Sequence, residues 1–122
     1  MKVSDQNDNP ILVKSFAFAL RIVKLHRYLV DEHKEYTLSK EILVAGTNIG
    51  KPVKEANYAE SRERFTIEMA TALRKAAETE YWLQLIHFAG YINEKEFESL
   101  DADRLELFKM LMKITKTSRA NA

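Results

Sequence analysis

Chain breakers are almost absent from this sequence: three glycines and two prolines interrupt 122 residues. Those two residue types end or kink regular structure, so the long runs between them have to be continuous elements. Within the runs, rich in Ala, Leu, Glu, Lys and Arg, apolar residues recur three and four positions apart rather than at every second one. No strand pattern competes, and the chain reads as all-α with four helices.

The first helix is announced by Asn9 in the N-cap position and Pro10 at the first helical residue, where a missing N–H costs nothing. It should run to His33 or Glu35, with Thr37 or Ser39 opening the second. Asn57 with Glu60 has the chemistry of a capping box and predicts the start of a third helix. Phe65, Met69, Ala72, Ala76, Leu83 and Ile86 keep its register as far as Gly90, a length of about 30 residues or about 45 Å. Asn93 with Glu96 repeats the box. The last helix then runs through Leu105, Phe108, Leu111 and Met112 to about Lys116, with room for a break near residues 99–101. Connections this short favour an antiparallel up-down-up-down bundle. The expected domain is a single unit over residues 1–122 with an ordered core at about 10–117 and frayed ends at 1–8 and 118–122.

There is no cysteine, so disulfide scaffolds and thiolate metal sites are excluded. Asp5 and Asp8, with no apolar run before Pro10, do not make a signal peptide, and charges interrupt every hydrophobic segment before a membrane span is reached. A cytoplasmic location is expected. A net charge of +1, spread evenly over both halves, describes no polybasic module, so nucleic-acid binding would need a local basic face.

The first helix carries two apolar faces. Phe16, Ala19, Leu20, Val23 and Val30 mark one; Phe18, Ile22, Leu25 and Leu29 mark another beside it. A helix in a monomeric bundle needs only one such face. The Phe18, Ile22, Leu25 and Leu29 face is expected to meet another subunit, together with Tyr81 and Trp82 from the third helix.

No constellation for catalysis survives inspection. GTNIGKP has one residue too few between Gly46 and Gly50 for a phosphate loop, and Pro52 follows Lys51 where Ser or Thr is needed. Its small residues instead let the second helix approach a neighbour closely, and Pro52 should kink it or begin a separate piece. His26, His33 and His87 lack the Glu three residues before them that a di-iron bundle requires. Glu78 and Glu80 fall on different sides of a helix. No metal, cofactor or catalytic residue is expected. The most coherent basic set is Lys14, Arg21, Lys24 and Arg27 on the first helix with Lys51 and Lys54 on the second, a candidate phosphate-contacting surface.

AGTNIG at residues 45–50, Glu55, Ala56, Ser61, Phe65, Ile67, the run ALRKAAETEYWLQLI at 72–86 and GYI at 90–92 carry a resemblance over residues 12–117. The sequence resembles the bacterial four-helix-bundle 23S ribosomal RNA intervening-sequence proteins. Val44, Ala45, Asn48, Lys51 and Pro52 depart from the family's usual RSGTSIGAN, and Lys75 stands where an acid is usual. The resemblance implies a homopentameric ring without enzymatic activity. It also extends to the accessory protein of diversity-generating retroelements, which implies RNA, ribosomal RNA or a nucleic-acid-processing protein as partner. Taken together, the residues and the resemblance predict a non-enzymatic, oligomeric scaffold that binds nucleic acid through basic helix faces. The alternative is a protein-interaction adaptor with no nucleic-acid role.

Overall fold

The structure, a computed structural model, describes residues 9–121; the expectations of a frayed segment at 1–8 and of no signal peptide before Pro10 lie largely outside them. Five helices follow in order among the described residues: α1 (Pro10–His33), α2 (Leu38–Thr47), α3 (Gly50–Ala56), α4 (Arg62–Phe88) and α5 (Glu94–Ala120). Among the described residues there is no strand, and no helix is long and apolar enough to cross a membrane. The helices form a bundle of four rods, because α2 and α3 are two pieces of one broken rod. The break has a sequence cause. In a continuous helix Pro52 would clash with the carbonyl four residues back, at Asn48, and Asn48 is where α2 is capped. As the third residue of α3, Pro52 falls among the orphan N–H positions of a helix start.

Caps place the other boundaries. Pro10 opens α1 as expected, although the Asn9 side chain makes no cap hydrogen bond and donates instead to Asn57 Oδ1 at 3.3 Å. Asn57 is not the N-cap of the long helix. Its backbone is helical and it closes α3, while Ser61, in extended conformation, accepts from the Arg64 N–H and starts α4. The box at Asn93 and Glu96 does form, with both reciprocal bonds present. No break occurs at residues 99–101, and α5 continues past Lys116 to Ala120, with Ser118 buried. The turn between α4 and α5 closes with the Tyr91 N–H on the Ile86 carbonyl and Gly90 at φ +92°, a left-handed C-terminal cap that glycine adopts without strain.

One hydrophobic cluster joins all five helices. α4 packs on α5 along one side and on α2 and α3 along another, and α1 closes the bundle against α2, α3 and α5. Gly46 is what lets α2 sit down on α1. A Cβ there would stand 2.6 Å from Ile22 Cγ1, so the small-residue reading of the GTNIG segment holds. The expected subunit contact on α1 is corrected. Phe18, Ile22, Leu25 and Leu29 are all buried within the single chain, and the outward face is the other one, with Phe16 and Leu20 exposed.

A buried charge ties α4 to α5. The Arg104 side chain is 4% exposed. Its Nε donates to Asp101 Oδ1 at 2.7 Å and its Nη2 to Glu80 Oε2 at 3.1 Å. Farther along the same seam the Thr66 and Ser118 hydroxyls share a hydrogen bond. At the opposite end His87 holds the connecting turn: it meets the Ile92 carbonyl at 3.2 Å and Glu94 at 2.8 Å, and its ring stacks on Phe97.

Candidate functional site

Between α1 and the first turns of α5 lies a cleft of about 470 Å³. Arg21, Lys24 and Tyr28 line it from α1, Lys95, Glu96 and Ser99 from α5, with Leu25, Ile92 and Leu100 as its apolar floor. Residues 21, 24 and 28 share a wall because three and four residues make one helical turn. Lys95 joins them from the second position of α5, where the Asn93 box fixes the first turn.

The cations of this cleft are not equivalent. Arg21 Nη1 donates to Asp103 Oδ2 at 2.7 Å and to the Ser99 carbonyl at 3.2 Å, while Nη2 donates to Ser99 Oγ at 2.9 Å. Arg21 is therefore a strut between α1 and α5 with much of its charge answered. Lys24 and Lys95 have no carboxylate within ion-pair distance among the described residues. Glu96, the one acid lining the cleft among the described residues, accepts the Asn93 N–H at 3.0 Å and so completes the cap.

Beside the cations stands a set of rings. Tyr28 is 39% exposed, and its hydroxyl lies 3.0 Å from His33 Nε2. The His33 ring meets Tyr28 edge-on at 5.1 Å and Tyr91 edge-on at 5.1 Å. Cations next to an exposed ring are the composition of surfaces that hold a nucleic-acid backbone and stack its bases.

The six cations singled out in the sequence do not form one surface. Arg21 and Lys24 come together in the cleft. Lys14 pairs with Glu106 of α5 at 3.2 Å, and Arg27 is exposed without lining the cleft. Lys51 and Lys54 border a separate, largely apolar groove with Phe16 and Ala19; Lys51 is 3.7 Å from Glu55, and Lys54 sits over the Tyr58 ring at 5.6 Å. The aromatic pair is divided too. Tyr81 is 57% exposed, whereas Trp82 packs partly against the core. Sequence reasoning missed Tyr28, whose spacing from Arg21 and Lys24 was visible, and Lys95, which only the α1–α5 packing brings near. It also missed a cleft of about 710 Å³ bordered by Arg62, Arg74 and Arg119, which has no aromatic wall. No group of three or more His, Asp or Glu side chains able to hold a metal ion occurs among the described residues.

A crystal structure of a protein with unknown function from the S23 ribosomal protein family of Bacteroides thetaiotaomicron VPI-5482 is similar at 45% sequence identity, over 89% of this chain and 97% of that one, with a TM-score of 0.87. No curated protein matches. The sequence profile described as 23S rRNA-intervening sequence protein matches residues 7–113, from just before α1 to the last turns of α5. With nearly the whole bundle inside that match, the chain belongs to the 23S rRNA-intervening sequence protein family.

Proposed function

We propose that this protein is a non-enzymatic cytoplasmic scaffold whose copies close into a ring and bind RNA or another nucleic acid in the α1–α5 cleft. The observation that carries this reading is the meeting of Arg21, Lys24 and Lys95 with the exposed Tyr28 in one cleft. The family description, which names an intervening sequence of ribosomal RNA, supports the same class of partner. An antiparallel helix order is supported by the seam pairs: Thr66 meets Ser118 and Glu80 meets Arg104, while Lys14 meets Glu106 and Arg21 meets Ser99. The pentameric count comes from the resemblance alone. The ring itself is supported by apolar side chains left outside the bundle, Phe16 and Leu20 on α1 and Tyr81, Leu85 and Phe88 on α4. Two different exposed faces suit a head-to-tail contact, the kind that closes into rings.

Charge reversal tests the cleft. Lys24→Glu with Lys95→Glu should weaken binding of a fluorescent RNA at least about tenfold. It should also flatten the plot of log affinity against log salt by about two phosphate contacts, with the helical circular dichroism unchanged. An unchanged slope would remove the cleft from the reading. Arg21 is left alone because its loss would also undo the strut to Asp103.

A second reading has its own observation. Phe88 is 80% exposed and Tyr81 57%, and aromatic anchors dominate protein–protein interfaces. Light scattering decides between a self-contact and a foreign partner. The ring predicts a mass near five times 14.2 kDa that falls when Tyr81 and Phe88 are both changed to Glu. A single-chain mass would leave the α4 strip to a partner protein and favour the adaptor.

A further inference from the structure

We infer that the α1–α5 cleft receives an unpaired nucleobase against the Tyr28 ring, so that this protein selects single-stranded over duplex nucleic acid; the inference rests on the nucleic-acid reading above. Tyr28 is the only ring lining the cleft among the described residues. It is held rather than loose, its hydroxyl 3.0 Å from His33 Nε2 and its ring edge-on to His33 at an interplanar angle of 74°. His33 is in turn braced edge-on against Tyr91. No second ring stacks on Tyr28 among the described residues, so the ring keeps a surface on which a base can lie.

The cations are placed for the backbone of the same strand. Lys24 precedes Tyr28 by one helical turn, and Lys95 faces both from α5. Neither is matched to a carboxylate, so both are available to the phosphates on either side of a stacked base. The cleft volume, about 470 Å³, is that of a small-ligand site. It has room for a nucleotide and none for a duplex. A double helix keeps its bases stacked inside and offers such a wall only phosphates and sugars. The large arginine cleft on α4 and α5 has charge without a ring, and in the groove that joins Lys51 and Lys54 to Phe16 each lysine already has a partner, Glu55 at 3.7 Å and the Tyr58 ring at 5.6 Å.

The test is fluorescence anisotropy with an unstructured twelve-nucleotide RNA and with the same strand annealed to its complement, at equal salt. The single strand should bind at least about tenfold more tightly. Tyr28→Ala should weaken the single strand about 5- to 100-fold, a base-stacking effect, and leave the duplex unchanged. Tyr28→Phe, which keeps the ring and loses the hydroxyl, should bind like the parent, and Tyr28→Leu, which keeps bulk without a π-face, should behave like the alanine variant. Equal affinity for both forms, or equal losses for the phenylalanine and alanine variants, would overturn the stacking role while leaving nucleic-acid binding in place. Failure of the parent protein to bind either form would overturn both.

Discussion

Phe18→Ala should cost about 3–5 kcal/mol of unfolding free energy, whereas Leu20→Ala, two positions along the same helix, should cost under about 1 kcal/mol. Phe18 is 2% exposed and sits in the cluster that joins all five helices. Its truncation removes transfer free energy and leaves a cavity that a rigid bundle only partly closes. Leu20 is 50% exposed in the single chain and loses little there. Urea unfolding followed by circular dichroism, at a protein concentration where light scattering gives the single-chain mass, measures both. At this chain length the Phe18 loss corresponds to a fall in melting temperature of about 10–20 °C. If Phe18→Ala dissociated an oligomer without lowering the stability of the chain, the inward assignment of that face would be wrong.

Removing both partners of Arg104 should be more damaging than removing Arg104 itself. In the double variant Glu80→Ala with Asp101→Ala, a guanidinium that is 4% exposed loses both of its carboxylates. Stranding a buried charge costs about 3–5 kcal/mol. Arg104→Met removes the charge and fills much of the same volume. The acids it leaves behind are 47% and 27% exposed and can turn to water, so the loss should stay below about 2 kcal/mol. Denaturant midpoints for the three proteins settle the order. The reverse order would mean that the Arg104 head reaches solvent along the α4–α5 seam.

Much of the fold was legible because it depends on neighbours in the chain. Pro10 and the Asn93–Glu96 box set two helix starts by hydrogen bonds and dihedral limits within four residues. The box expected at Asn57 failed although it has suitable residue types. An N-cap needs an extended backbone, and Asn57 is still helical as the cap of α3, with φ −62°; Ser61 takes the role at φ −148°. The cleft was legible in half. Arg21 and Lys24 were found on the charge pattern, and Tyr28 could have been added from the same helical face. Lys95 comes from α5, more than sixty residues away along the chain, and no local pattern announces it.

The sequence by itself determined that the chain is helical, roughly where the helices lie, and that the GTNIG segment must let α2 come close to a neighbour. Each of these follows from short-range sterics, capping and the spacing of apolar residues. The tertiary structure decided which of two equally apolar faces of α1 turns inward, because that choice depends on where α2, α3 and α5 pack and not on α1. It also decided which cations remain available. Arg21 and Lys14 are answered by acids of α5 while Lys24 and Lys95 are not. Charge compensation is a property of distances across the bundle, and the order of residues does not contain those distances.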